Sequence, residues 1–170
     1  MTQFLLATPN GIVFRNNDAV RVSNTALETT LLAGQLSAGM LSMNNRVKFT
    51  LICSLSTAAL LPGTLTIRVK YGSGVLTLGG GALALLGGAT NTPFKVTGRI
   101  ANKANAASQI AYGEITQASG GLTLSQPVSQ QVANFSVDST LTQNVAITAQ
   151  FSLASASNIL TVQDFEMEIS

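Results

Sequence analysis

Ten consecutive residues, Arg46 to Leu55, read R-V-K-F-T-L-I-C-S-L. Val47, Phe49, Leu51, Cys53 and Leu55 fall on one phase, and Arg46, Lys48, Thr50 and Ser54 on the other. A two-residue period places these sets on opposite faces of an extended chain, whereas a helix would scatter them around its axis. One apolar face and one polar face is the pattern of a half-buried antiparallel strand.

The pattern recurs. Leu65, Ile67, Val69 and Tyr71 alternate with Arg68 and Lys70; Phe94, Val96 and Ile100 alternate with Lys95, Thr97 and Arg99. Val145, Ile147, Ala149, Phe151 and Leu153 alternate with Asn144, Thr148, Gln150 and Ser152. Weaker strand candidates are Ile12–Arg15, Leu27–Leu36, Gln109–Thr116 and Val132–Val137. In the last strand the apolar phase runs through Leu160 and Val162, then shifts to Phe165, Met167 and Ile169, which predicts a β-bulge near Gln163–Asp164. Turn signals such as Asn44-Asn45, Pro62-Gly63, Gly72-Ser73-Gly74 and Gly120-Gly121 separate the runs. The segment Gly81–Gly87 fits either a short helix or an apolar strand.

Many antiparallel strands around one core predict an all-β fold, an antiparallel jelly-roll sandwich with a short N-terminal arm. Its core should hold Phe49, Ile67, Val69, Ile147 and Phe151. Residues 1–20 read as an arm or added strand, and residues 21–170 as the jelly-roll domain. The arm carries Phe4, Leu5, Leu6, Ile12, Val13 and Phe14, which have no place in the alternating pattern. An extended segment of this kind should add to a sheet edge, on a neighbouring subunit or on a larger assembly. These six residues, with Leu60 and Leu61, are the candidate interaction residues.

Composition narrows the chemistry. Charged residues make up 9% of the 170, against about 25% in ordinary domains. Ser, Thr, Asn and Gln number 57, so the surface is polar but largely neutral. All nine basic residues lie between Arg15 and Lys103, and five of the seven acids lie between Glu114 and Glu168. Either strands of the two halves lie side by side and neutralise each other, or neighbouring subunits present complementary faces. The start Met1–Ala7 lacks the basic stretch and long apolar run of a signal peptide. The uncharged stretch Tyr71–Phe94 contains seven glycines and is not expected to form a transmembrane helix.

Reactive groups are few. Without histidine, Ser-His-Asp and Cys-His catalysis are excluded. Cys53 lies on the inward phase and reads as a buried structural thiol. Gly72-Ser73-Gly74 lacks the third glycine of a dinucleotide loop and the lysine of a phosphate loop. Asp164, Glu166 and Glu168 form an alternating acidic row, expected to lie exposed against Lys95 and Arg99. The basic row Arg46, Lys48, Arg68 and Lys70 has no interleaved aromatics, which argues against nucleic acid as a partner. No enzyme activity, cofactor, metal or membrane contact is expected.

Five segments carry a resemblance. Glu28-Thr-Thr-Leu-Leu-Ala-Gly-Gln-Leu, Thr64-Leu-Thr-Ile-Arg-Val-Lys-Tyr-Gly72, Thr92-Pro-Phe-Lys-Val, Val145-Ala-Ile-Thr-Ala-Gln-Phe151 and Ala154-Ser-Ala-Ser-Asn158 stand in this order. Over residues 25–170 the chain resembles the jelly-roll virion structural proteins of tailed bacteriophages: head decoration or cement proteins, head fibres and tail-fibre tips. The resemblance implies a homotrimer located on the virion, with no catalytic residues. Two departures, the apolar turn Ala58-Ala-Leu-Leu-Pro-Gly63 and a low aromatic content, favour a protein-facing surface. The resulting expectation is a capsid decoration protein on the capsid exterior, bridging major capsid protein subunits. The alternative is a head- or tail-fibre tip module for host receptor recognition. Apolar turns at Leu60-Leu61-Pro62 and Leu83–Leu86 further predict self-association.

Overall fold

The computed structural model describes residues 14–16, 19–117 and 128–170. Among these residues twelve strands follow one another: β1 (Phe14–Asn16), β2 (Val20–Ser23), β3 (Thr29–Leu36), β4 (Arg46–Ser56), β5 (Thr64–Tyr71), β6 (Gly74–Thr77), β7 (Leu83–Ala84), β8 (Thr92–Asn102), β9 (Gln109–Gln117), β10 (Val128–Phe135), β11 (Gln143–Phe151) and β12 (Ile159–Ile169). They form two antiparallel sheets. One runs β1-β12-β4-β8-β9-β10, with β2 also on β12; the other runs β3-β11-β5-β6, with β7 also on β5.

The pairing is nested. β2 pairs β12, β3 pairs β11, β4 pairs β8 and β5 pairs β6. This is a long hairpin rolled up so that its successive rungs alternate between sheets, which makes the sandwich a jelly roll. β9 and β10 extend the larger sheet as a meander beyond β8.

The alternation seen in the sequence sets the core. Phe49, Ile67, Val69, Ile147 and Phe151 are all buried in one cluster between the sheets, joined by Leu51, Tyr71, Phe165 and Met167. The bulge falls where the phase shift put it. The β12–β4 register slips between Val162 and Asp164, leaving Gln163 and Asp164 both exposed before Phe165 turns inward. Gly98 is required by packing: the Phe49 ring fills its place, and a Cβ there would stand 2.2 Å from Phe49 Cζ and 2.5 Å from the Tyr112 carbonyl.

Some expectations change. The segment from 81 to 87 forms neither a helix nor a full strand. A 3₁₀ turn at Leu78–Gly80 leads into the two residues of β7, because Gly79, Gly80 and Gly81 all take positive φ. β10 begins at Val128 rather than Val132, and Val137 is buried in the turn that follows. The basic row divides, with Arg46 and Lys48 on the larger sheet and Arg68 and Lys70 on the smaller. The acidic row faces Lys48, not Lys95 or Arg99, because β4 lies between β12 and β8. Within residues 1–20, β1 and the first residue of β2 pair with β12 of the same chain. Among the described residues no helix is long and apolar enough to cross a membrane.

Candidate interaction surface

At one end of the sandwich three loops meet: residues 57–63 after β4, 85–91 after β7 and 152–158 after β11. Hydrogen bonds knit them together. Thr57 N–H donates to the Ala89 carbonyl at 3.0 Å, Gly88 N–H to Ala58 at 3.0 Å and Leu85 N–H to Gly63 at 3.1 Å. The Thr57 hydroxyl donates to the Leu86 carbonyl and accepts from Ala89 N–H. Asn158, fully buried, pins the outermost loop. Its Nδ2 donates to the Pro62 carbonyl at 2.9 Å, and its Oδ1 accepts from Ala58 N–H at 2.9 Å. Gly87 allows the loops to touch, since a Cβ there would stand 2.3 Å from the Ala59 carbonyl oxygen.

These bonds hold a pair of leucines in solvent. Leu60 is 85% exposed and Leu61 86%. Leu61 has φ of +48°, in the left-handed region, which costs a side-chain-bearing residue roughly 1–2 kcal/mol. Leu86 and Leu153, also exposed, flank them, with Leu153 packed beside Gly63. None of the three loops contains an ionisable residue. Of the candidate interaction residues, Leu60 and Leu61 thus stand together at this end. Phe4, Leu5, Leu6, Ile12 and Val13 lie outside the described residues, and Phe14 occupies the register position opposite Met167. Leu86 belongs to the apolar turn Leu83–Leu86 expected from the sequence to lie at a contact surface. Leu153, expected on the inward phase of its strand, is instead exposed, because β11 ends at Phe151 and the chain turns away from the core.

The charged groups lie on the sheet faces. On the larger sheet Glu168, Lys48, Arg99 and Tyr112 occupy successive register positions across β12, β4, β8 and β9. Lys48 Nζ stands 3.0 Å from Glu168, beside a shallow depression of about 260 Å³ lined by Lys48, Phe49, Thr50, Glu166 and Glu168. The Arg99 guanidinium lies 5.5 Å from the Tyr112 ring centroid, within cation–π range. Glu114 accepts from the Tyr112 hydroxyl, from Thr116 at 2.8 Å and from Gln130 at 2.9 Å. These bonds hold the Glu114 carboxyl below its ordinary pKa and raise that of Tyr112.

On the smaller sheet Glu28 reaches across β11 to β5. It accepts from Lys70 Nζ at 2.7 Å and from the Thr148 hydroxyl, with Arg68 at 3.6 Å. The Lys70 and Thr148 bonds lower its pKa. Gln150 Nε2 donates to the Ala26 carbonyl at 3.1 Å, so residues 26–28 form a strap across this face. Cys53 is buried, and desolvation pushes its pKa up to about 12, which keeps it a thiol. Among the described residues no cluster of three His, Cys, Asp or Glu could hold a metal ion.

No protein-family model matches the chain, and no curated protein does. Solved structures give distant likenesses. Lectin I of Ulex europaeus, solved with the methyl glycoside of α-L-fucose, aligns at 10% identity over 95% of this chain and 98% of its own, with a TM-score of 0.45. Basic winged bean lectin, solved with Tn-antigen, aligns at 11% over 94% and 98%, with a TM-score of 0.47. The CBM2 module of the evolved Dit of Lactobacillus casei BL23 phage J-1 aligns at 11% over 80% and 67%, with a TM-score of 0.37. Such scores carry no argument about function, and the sandwich stands on its own hydrogen-bond ladders.

Proposed function

We propose that this chain is a non-enzymatic structural protein of a virion, a capsid decoration protein that binds the capsid exterior and bridges major capsid protein subunits. The observation that carries this reading is the rigid, uncharged leucine end. A ligand-binding or catalytic cleft needs convergent polar groups, whereas this end offers a preformed apolar contact surface. Burying exposed leucine side chains at a contact is favourable in proportion to the apolar area removed from water, and a pre-ordered loop loses little entropy on docking. Binding to the assembled shell alone stabilises it by mass action, about 4 kcal/mol at a thousandfold excess over Kd. The resemblance to phage virion jelly rolls supports the same role.

A second reading, a fibre-tip module for receptor recognition, is favoured by Tyr112 on the outer face beside Glu114. Against it, the hydroxyl is bonded to Glu114 and Arg99 lies over the ring, so stacking on a sugar would have to displace the guanidinium.

Cryo-electron microscopy of virions carrying the protein tests both readings. Jelly-roll density on the capsid exterior at capsid-scale copy number is the expected result. Density confined to a fibre tip would transfer the function to the second reading, and absence from the particle would overturn both.

A further inference from the structure

We infer that the outer face of the larger sheet, at the end where β4 begins, docks an acidic, extended protein segment of the pattern acid-x-apolar-x-acid. This surface lies at the far end of β4 from Leu60 and Leu61, and the inference stands on its residues alone.

Alternation puts Arg46 and Lys48 on the outer face of β4, and Arg99 and Ala101 on that of β8, with Lys103 just past the end of β8. The register sets Lys48 opposite Arg99 and Arg46 opposite Ala101. Like charges facing each other across two strands repel. Lys48 has a carboxylate of its own, Glu168 at 3.0 Å. Arg46, Arg99 and Lys103 have none within ion-pair distance among the described residues. Lys103 Nζ meets only the neutral Asn134 Oδ1, at 3.3 Å. Glu114, the acid of neighbouring β9, is committed to Tyr112, Thr116 and Gln130. Cations are thus gathered on adjacent strands in excess of the carboxylates the chain supplies there, and a partner of opposite charge removes that imbalance.

Arg99 is set to receive a carboxylate. Its guanidinium stacks over the Tyr112 ring, 5.5 Å from the centroid, and Tyr112 is anchored through its hydroxyl to Glu114. Stacking orients the plane of the guanidinium and leaves its N–H fork for a bidentate acceptor. Ala101, with its short side chain, leaves a dip beside Arg46 on one side and Ile110 on the other. Ile110 is 37% exposed, and Val132, across from Tyr112 on β10, is 58% exposed. Apolar groups interleaved with cations suit a protein segment better than a sulfated or phosphorylated glycan, which brings no aliphatic side chain to them.

Spacing gives the pattern. Arg99 and Lys103 are four residues apart, about 13 Å at about 3.3 Å per extended residue. An extended partner turns every second side chain toward the sheet. An acid at its first position meets Arg99, an apolar group at its third enters the dip at Ala101, and an acid at its fifth meets Lys103.

The test titrates the isotope-labelled full chain with the peptide acetyl-Glu-Ser-Leu-Ser-Glu-amide and follows the amide resonances. Shifts should appear at Lys48, Arg99, Ala101, Lys103 and Ile110, not in the loop 57–63, and should shrink as salt screens the charges. Arg99→Gln/Lys103→Gln should weaken binding about tenfold. Ala101→Leu, which fills the dip and keeps every charge, should also weaken it. Lys95→Gln, at an exposed cation farther along β8, should change it less than about twofold. The isomer acetyl-Glu-Glu-Ser-Ser-Leu-amide, equal in charge, should bind more weakly. If the double variant fails to fold, Lys103→Gln alone, at an exposed side chain, serves in its place and should still weaken binding. No shifts at about 10 mM peptide, shifts centred elsewhere, undiminished binding by either patch variant, a Lys95→Gln loss as large as that of the double variant, or equal binding of the isomer would each overturn the inference. Tighter binding of a disulfated disaccharide at the same residues would overturn it in favour of an anionic glycan. Position on a virion does not enter this titration, so its failure and the failure of the capsid reading are separate.

Discussion

The side-chain amide of Asn158 donates to the Pro62 carbonyl at 2.9 Å, across ninety-six positions of sequence. With its acceptor held by Ala58 N–H, this one buried residue ties the β11–β12 loop to the β4–β5 loop. Asn158→Ala leaves a backbone donor and a backbone acceptor without their partner. The expected loss is about 2–4 kcal/mol, since each buried unsatisfied group costs roughly 1–3. Urea denaturation measures it, and a loss below about 0.5 kcal/mol would mean that water replaces the amide and the loop is not clamped.

Leu61 offers the reverse case. Its left-handed backbone suits Asn or Gly better than leucine. Leu61→Asn should therefore stabilise the isolated domain by about 0.5–1 kcal/mol while weakening docking at this end to the capsid. A variant that is less stable by thermal melting would show that the leucine side chain is held by the fold rather than by a partner.

Gly98→Ala places a methyl against Phe49 and the Tyr112 carbonyl. The Phe49 ring can rotate aside, but the β9 backbone cannot. The expected cost is about 2–3 kcal/mol by denaturant unfolding. An unchanged midpoint would show that β8 and β9 separate more readily than their ladder indicates.

The Glu28 strap titrates. Because bonding lowers the folded pKa of Glu28, its contribution is complete above the unfolded value and fades as pH falls from about 4.3 through the lowered folded pKa. The group is a third exposed, so its share is small, below about 1 kcal/mol. Glu28→Gln should flatten the acid limb of the stability profile and leave the profile near neutral pH lower by that amount. Parallel acid limbs in the two proteins would exclude the strap as the titrating element.

Cys53 should be silent in the folded protein. Its burial and high pKa predict no reaction with a disulfide reagent at pH 8, and full reaction once urea unfolds the chain. Labelling of the native protein within minutes would require an opening of β4 that the core packing does not suggest.

The sequence made the interior legible wherever alternation was strong. The phases through Phe49, Ile67 and Phe151 and the slip at Gln163 were readable because each is a local property of one strand. Partners across strands were not. The acidic row of β12 meets Lys48 because β4 inserts between β12 and β8, an order fixed by the rolling of the whole chain. Glu28 gave no signal either, since its bonds to Lys70 and Thr148 cross forty and more residues. In the glycine-rich stretch from 72 to 88, positive φ angles break the two-residue period, so periodicity could not distinguish β7 from a helix. Leu60, Leu61 and Leu86 were visible in apolar turns, but Leu153 continued the inward phase of its strand on paper, and only the end of β11 at Phe151 turns it out to solvent.

The nested pairing has a consequence for the order in which the larger sheet can close. Among the described residues, β12 is the strand that joins β1 and β2 to β4. Until residues 159–169 dock, the larger sheet lacks the strand that connects its two parts, and Leu55, Phe49 and Val22 have no neighbour on that side. Folding of the larger sheet is therefore gated by β12, and a chain cut before residue 159 would expose open strand edges to aggregation.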